Sequence, residues 1–196
     1  MSWLHTYSGR KFDPLSPRAE EVDMEDVAHA LSMTCRFAGH SRRYYSVAQH
    51  SCYVSDVAEE IALMVGKTQR EIGLISAEAL IHDASEFVIC DVPSPVKPFF
   101  VVDGRPYKEW EEQITVAVRN HLGLPTPSDE TKAIVKQADL ILLKLEAEQL
   151  MHGVSEYKFD LPDWQTFDLA PMNWEEAKAM FLHRLSGVKN FLRLYA

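Results

Sequence analysis

The sequence predicts an all-α fold, in which residues 1–196 form one helical domain around a central metal-binding cleft. Apolar residues recur at every third or fourth position along most of the chain, which is the period of an amphipathic helix. Signals for helix N-termini precede several of these apolar runs, and no stretch shows the sustained alternation of a strand. The predicted helices cover residues 24–35, 46–65, 68–88, 107–122, 128–151 and 173–194.

Capping boxes mark the start of three of these helices. In a capping box, a Ser, Thr or Asn side chain and a Glu or Gln three residues later bind the amide groups that the first helical turn leaves free. The pairs in this sequence are Ser46 with Gln49, Thr68 with Glu71, and Asn173 with Glu176.

A proline-rich segment separates the first helices from the later ones. Pro93, Pro95 and Pro98 each lack an amide donor and restrict the residue before them, so they predict a loop. The one β candidate follows this loop, at residues 99–102, with a hairpin turn at Asp103 and Gly104.

Composition and charge exclude several classes of function. The three cysteines are scattered and form no CxxC pair, which disfavours a disulfide framework and a thiolate zinc site. No apolar run approaches the roughly 18–20 residues of a membrane span, and the N-terminus lacks a secretory layout, so we expect a cytoplasmic protein without a membrane partner. The net charge of −9 disfavours duplex nucleic acid but permits one small nucleotide as partner.

The strongest local signal is the adjacent pair His82-Asp83, which directly follows an apolar run. Burying an imidazole and a carboxylate is costly unless something compensates, and a divalent cation would satisfy both. This donor set suits Mn, Fe, Co, Ni or Zn rather than calcium. Neighbours in a helix point about 100° apart, so further ligands must come from other helices.

Two further ionisable residues have similar apolar surroundings. His50 lies on the helix face of Val47 and Val54, and Asp139 interrupts the apolar stripe of the helix over 128–151. Each has an alternative interpretation when taken alone, His50 as a hydrogen-bonded core histidine and Asp139 as the partner of a nearby Lys or Arg. The combination predicts one metal site with two nitrogen and two oxygen ligands.

The order His50, His82-Asp83, Asp139 resembles the H…HD…D signature of the HD-domain phosphohydrolase superfamily. Three segments, CRFAGH at 35–40, YSVAQHS at 45–51 and HDASEFVICDVPSPVK at 82–97, are similar to the 5′-deoxynucleotidase subgroup typified by YfbR. They are still closer to its prophage branch typified by YfdR. That neighbourhood also contains phage enzymes that release triphosphate from dATP.

The resemblance implies roles for the matching positions. It implies four ligands of a divalent transition metal, namely His50, His82, Asp83 and Asp139. Glu86 would act as general acid or base through the catalytic water, and Asp91 would contact the sugar or the leaving group. Arg36, Phe37 and Lys97 would line the substrate pocket, with Phe37 standing where the subgroup usually has Trp. Related proteins are often dimers, which implies a homodimer with aromatic residues near 157–174 as a candidate interface.

Three functions are consistent with these residues. The first is hydrolysis of a deoxynucleoside 5′-monophosphate by a metal-activated water, with Arg36 and Lys97 binding the phosphate. The second is hydrolysis of a deoxynucleoside triphosphate, which needs more cations, such as Arg42, Arg43 or Arg105. The third is a nucleotide sensor that keeps the metal cage without turnover. His40 with Arg42 and Arg43 forms either a second phosphate site or an exposed turn.

Overall fold

The computed structural model describes residues 2–153, 164 and 168–194 of the chain. It confirms the all-α prediction, since helices dominate and the strands are two residues long. The helices are α1 (Met24–Met33), α2 (Val47–Met64), α3 (Gln69–Leu80), α4 (Glu86–Ile89), α5 (Tyr107–His121), α6 (Asp129–Leu150) and α7 (Trp174–Leu194). The strands are β1 (Leu4–His5), β2 (Lys11–Phe12), β3 (Val101–Val102) and β4 (Arg105–Pro106).

The predicted capping signals stand at the helix starts. Ser46 Oγ accepts the amide of Gln49 at 3.1 Å at the start of α2. Thr68 forms a complete capping box with Glu71 at the start of α3. Before α7, the pair Asn173 and Glu176 makes the same reciprocal bonds. Caps of this kind stabilise a helix end by about 1 kcal/mol each.

Helix α2 lies at the centre, packed against α1, α3, α6 and α7. Its N-terminal half contributes Val47, Ala48 and Cys52 to one apolar cluster, shared with α1, α5 and α7. Its C-terminal half contributes Val57 and Ile61, among others, to a second cluster, shared with α3 and α6. Helix α2, which carries His50, therefore belongs to both clusters.

The prediction of one continuous helix over 68–88 is wrong. Helix α3 ends at Leu80, and the next turns close through bonds between residues three apart, such as the Ala84 amide to the Ile81 carbonyl at 2.9 Å. Ile81, Ala84 and Phe87 are buried in the first cluster, and their spacing of three residues matches a 3-10 turn rather than an α-helix. This tighter turn leaves His82 and Asp83 facing the same site.

Hairpins account for the described strands. Strands β3 and β4 pair antiparallel around Asp103 and Gly104, whose φ angles of 48° and 75° suit a tight two-residue turn, so the predicted hairpin is confirmed. A second hairpin, of β1 with β2, was not predicted, because two-residue strands carry no alternation.

Among the described helices, none combines the length and the apolar character that crossing a membrane requires. The segment near 157–174, predicted as a dimer interface, falls largely outside the described residues. The homodimer and the cytoplasmic location therefore stay predictions.

Candidate active site

The four side chains predicted as metal ligands converge on one point. Nε2 of His50 lies 3.3 Å from Nε2 of His82 and 3.5 Å from Oδ2 of Asp83. Nε2 of His82 is 3.2 Å from the same Asp83 oxygen. Asp139 completes the group from α6, with Oδ1 at 3.4 Å from Nε2 of His50 and 3.9 Å from Nε2 of His82. Residues 89 positions apart in sequence thus present their donor atoms together.

Both imidazoles are oriented by hydrogen bonds on their far side. Nδ1 of His50 lies 2.6 Å from Oε1 of Glu146, and Nδ1 of His82 lies 2.7 Å from the carbonyl oxygen of Ala79. Each acceptor holds the proton on Nδ1 and directs Nε2 to the centre of the group. This arrangement is typical of metal-binding histidines, whose second nitrogen is fixed by a carboxylate or a backbone carbonyl.

Glu146 is a site residue that the sequence analysis missed. It lies seven residues after Asp139 on α6, so the two carboxylates share one face of the helix. Burial opposes its ionisation, but Arg36 and His50 lower the pKa of Glu146, and it therefore accepts hydrogen bonds as a carboxylate. The spacing of seven was the available signal, and nothing in the local sequence distinguished this Glu from a solvated one.

Arg36, predicted to bind substrate, lies in the site but is engaged by carboxylates. Its Nε donates to Oε2 of Glu146 at 3.2 Å, and its Nη1 donates to Oδ2 of Asp83 at 3.4 Å. The guanidinium therefore links a candidate ligand, Asp83, to the residue that orients His50. Its planar fork has further donors that can reach an anionic ligand.

Glu86, predicted as the general acid or base, begins α4 next to the ligand group. The residue is 3% exposed, and its Oε2 has no hydrogen-bond partner among the described residues. Burial, together with the carboxylates of Asp83 and Asp91, raises the pKa of Glu86 well above its ordinary value. A carboxyl group in these surroundings is suited to holding and releasing a proton.

Asp91 contacts the backbone of Phe37, the residue that follows Arg36. Oδ2 of Asp91 accepts the backbone amide of Phe37 at 3.2 Å. Phe37 and Ala38 have φ angles of 55° and 49°, and Cys90, directly before Asp91, has 63°. Such left-handed conformations cost about 1–3 kcal/mol each for residues other than Gly, and they cluster at functional sites. Phe37 and Asp91, both predicted as site residues, thus lie in or directly after segments with a strained backbone.

Lys97 approaches from the loop before β3. Its Nζ lies 2.7 Å from Oε1 of Glu111 on α5, and the charges of Glu86 and Asp83 also act on it. Burial opposes the charge of Lys97, but Glu111 raises its pKa above the ordinary value. The predicted substrate lysine is therefore a cation at the edge of the site, held by an acidic neighbour.

The electrostatics of the group fit a bound cation. Burial and Arg36 oppose protonation of His50, but the carboxylates of Glu146 and Asp139 raise the pKa of His50 to about 9. The surrounding protein thus favours positive charge at the point where Nε2 of His50 lies. The donor atoms of His50, His82 and Asp83 lie within 4.8 Å of one another, close enough to hold one ion. Imidazole and carboxylate donors suit a divalent transition metal.

A helical bundle that gathers two histidines and two aspartates at one point, in the order H…HD…D, defines an HD-domain protein. The chain belongs to the 5′-deoxynucleotidase YfbR-like family, whose model matches residues 29–183. It is similar to YfdR of Escherichia coli K12, with 34% identity over 194 residues that cover 96% of each chain. An uncharacterized protein of Rhodobacter capsulatus is 36% identical over 163 residues, 81% of this chain and 78% of the relative. The 5′-deoxynucleotidase YfbR of Shigella flexneri is 32% identical over 133 residues, 59% of this chain and 66% of the relative.

Proposed function

We propose that this chain is a metal-dependent nucleotide phosphohydrolase that removes phosphate from deoxynucleoside 5′-monophosphates. The observation that carries the proposal is the convergence of four side chains, those of His50, His82, Asp83 and Asp139. The contacts between their ring nitrogens and carboxylate oxygens are 3.2–3.9 Å long. The family and several relatives carry the name 5′-deoxynucleotidase, which supports the same reaction.

These four residues would hold the ion, and their nitrogen and oxygen donors suit Co, Mn, Zn, Fe or Ni. A divalent ion at such a site supplies activation of water and neutralisation of phosphate charge. Glu146 and the carbonyl of Ala79 keep the two imidazoles in the orientation that ligation needs.

Glu86 acts as the general acid or base of the proposed reaction. Its buried carboxyl group, with one oxygen free of partners among the described residues, can take a proton from the attacking water and pass it to the leaving oxygen. Asp91 lies on the same side of the site, where the carboxylates of both residues influence each other. It would contact the sugar that carries the leaving oxygen.

Arg36 and Lys97 stabilise negative charge on the phosphate. Arg36 is buried beside Asp83, and the charges of Lys97 and Asp83 also act on each other. Charge-assisted hydrogen bonds of this kind are about twice as strong as neutral ones. Phe37, whose ring lies 5.5 Å from the Arg36 guanidinium carbon, provides an apolar wall for the sugar or the base.

A monophosphate fits the described cations better than a triphosphate does. Arg42 donates to the carbonyl of Gln149 at 2.6 Å, and Arg105 donates to the amide oxygen of Gln113 at 3.1 Å. Both guanidinium groups therefore have protein partners away from the ligand group. Arg36 and Lys97, in contrast, act on Asp83 within the candidate site, and two cations are sufficient for one phosphate.

The decisive experiment couples elemental analysis of the purified protein to a nucleotide panel. We expect a bound transition metal and release of inorganic phosphate from deoxynucleoside 5′-monophosphates, with little triphosphate released from the deoxynucleoside triphosphates. Absence of hydrolysis on every nucleotide, across the candidate metals, would overturn the proposal.

A matched pair of histidine variants completes this test. His82→Ala should lose both the ion and the activity, because it removes one of the nitrogen donors at the centre. His152→Ala, which removes an exposed histidine from the region after α6, should retain both. Full activity of His82→Ala without metal would contradict the site assignment.

A further inference from the structure

Lys136, on α6, is a cation beside the ligand group that the proposed reaction does not yet use. Its Nζ lies 2.8 Å from Oδ2 of Asp139. The other oxygen of that carboxylate, Oδ1, lies 3.4 Å from Nε2 of His50. A single carboxylate group therefore separates the amine of Lys136 from the converging donor atoms.

The ligand group is most exposed to solvent at its two carboxylates. The side chains of Asp83 and Asp139 are 23% and 20% exposed. Those of His82 and His50 are 13% and 0% exposed. The phosphate of a nucleotide has to approach from solvent, so it meets the two aspartates first. Lys136, whose side chain is 65% exposed, lies on this same side of the group.

A phosphate that approaches two aspartates needs a positive charge to offset their repulsion. When a divalent ion is bound, it supplies positive charge to Asp139, which then depends less on Lys136. The lysine side chain is a point charge on a flexible stem of four carbons. Its amine can therefore move from Asp139 to a phosphate oxygen while the backbone of α6 stays in place.

The two cations already assigned to the phosphate are held more tightly than Lys136. Arg36 is buried, and its guanidinium donates to two carboxylates of the site. Nζ of Lys97 lies 2.7 Å from Glu111, and the Lys97 side chain is 27% exposed. An ion pair as exposed as that of Lys136 with Asp139 is weak, so an exchange of partner costs little.

From this geometry we propose that Lys136 is a substrate-binding residue, whose amine leaves Asp139 and binds a phosphate oxygen of the nucleotide. The proposal rests on the proposed function, because it names a further contact between the same site and its substrate. The competing interpretation is an ordinary ion pair between residues three apart on a helix surface. The two interpretations differ in their effect on substrate binding.

Lys136→Met tests the proposal because it removes the charge and keeps most of the aliphatic stem. A contact that is equally strong in the bound substrate and in the transition state affects KM and not kcat. We expect KM for a deoxynucleoside 5′-monophosphate to rise about tenfold, the lower end for a hydrogen bond between charged groups, with kcat little changed. Metal affinity, measured by competition with a chelator, should be unchanged or higher, because a positive charge beside the ligands is lost.

Lys132→Met is the matched control. Lys132 lies one turn earlier on α6, is similarly exposed, and forms the same kind of ion pair with Asp129. The control changes the net charge by the same amount, so it measures any general electrostatic effect. It should leave KM, kcat and metal affinity unchanged.

A KM for Lys136→Met equal to that of Lys132→Met would overturn the role of Lys136 and leave the proposed function intact. A lowered metal affinity in Lys136→Met would overturn it too, since the lysine would then act only by orienting Asp139. An unaltered protein that hydrolyses no monophosphate would overturn the proposed function, and this inference with it.

Discussion

Nδ1 of His50 lies 2.6 Å from Oε1 of Glu146, and both side chains are completely buried. The second oxygen of Glu146 binds Arg36 at 3.2 Å, so one carboxylate joins an imidazole to a guanidinium. A buried ion pair of this kind survives because every member has a partner. Glu146 therefore determines the orientation of His50 although it does not point to the centre of the site.

Glu146→Gln should weaken metal binding about 10–100-fold, as loss of an orienting carboxylate typically does. The neutral side chain of Gln lacks the negative charge that holds the proton on Nδ1 of His50 and that balances the charge of Arg36. A competition titration with a chelator measures the change in affinity. Glu148→Gln, an exposed position on the same helix, is the control and should bind metal as the unaltered protein does. Equal affinities for the two variants would remove Glu146 from the site.

Glu86→Gln should separate catalysis from binding. Because Glu86 lies beside the ligand group and is not one of its four members, the variant should keep its metal. Its kcat should fall about 10²–10⁴-fold, the usual contribution of a positioned acid or base. Glu60→Gln, exposed on α2, serves as the control. A nucleotide sensor would show no turnover before or after the change, and that result would favour a binding role over an enzyme.

Arg119→Met should destabilise the protein by about 3–5 kcal/mol, because it leaves Glu78 charged and buried without its partner. Nε of Arg119 lies 3.0 Å from Oε2 of Glu78, and both residues are more than nine-tenths buried. Urea unfolding measures the free energy. Lys132→Met removes half of an exposed pair with Asp129 and should change stability little. If the free energy of unfolding fell equally in the two variants, the buried pair would contribute no more to stability than the exposed one.

Gly73→Ala and Gly187→Ala should act in opposite directions. In a helix, Ala is favoured over Gly by about 1 kcal/mol, and nothing lies within 4 Å of a Cβ added at Gly187. A Cβ at Gly73 would clash with Cδ1 of Phe191, so the Phe191 ring or one of the two helices, α3 and α7, must shift. Such overpacking costs about 1–3 kcal/mol. Thermal unfolding would show a raised midpoint for Gly187→Ala and a lowered one for Gly73→Ala, and a rise in both would contradict the close approach.

The convergence of four ionisable side chains could be predicted from the sequence because burying charge is costly. His50, His82-Asp83 and Asp139 each interrupt an apolar pattern, and only convergence explains all of them together. The helix starts were equally accessible, since capping residues act locally. Residues that act through long-range contacts were harder to predict. Glu146 shares a helix face with Asp139, but its partner His50 lies 96 positions away.

The break after α3 shows where a periodic pattern misleads. Ile72, Ile75 and Ala79 follow the α-helical repeat, and the apolar residues after them predicted its continuation to residue 88. Ile81, Ala84 and Phe87 instead belong to the other apolar cluster. One continuous helix could not direct these two sets of apolar residues to different clusters. The backbone therefore changes to a three-residue repeat, in the turn that carries His82 and Asp83.

The membership of α2 in both apolar clusters has a consequence for motion. The helix that carries His50 cannot detach from one core without disturbing the other, so its amide protons should exchange with solvent only when the whole molecule opens. The β3–β4 hairpin, with Val101 68% exposed, can fray at low cost. We therefore expect the amide protons of the hairpin to exchange with solvent well before those of α2, which keeps His50 in place.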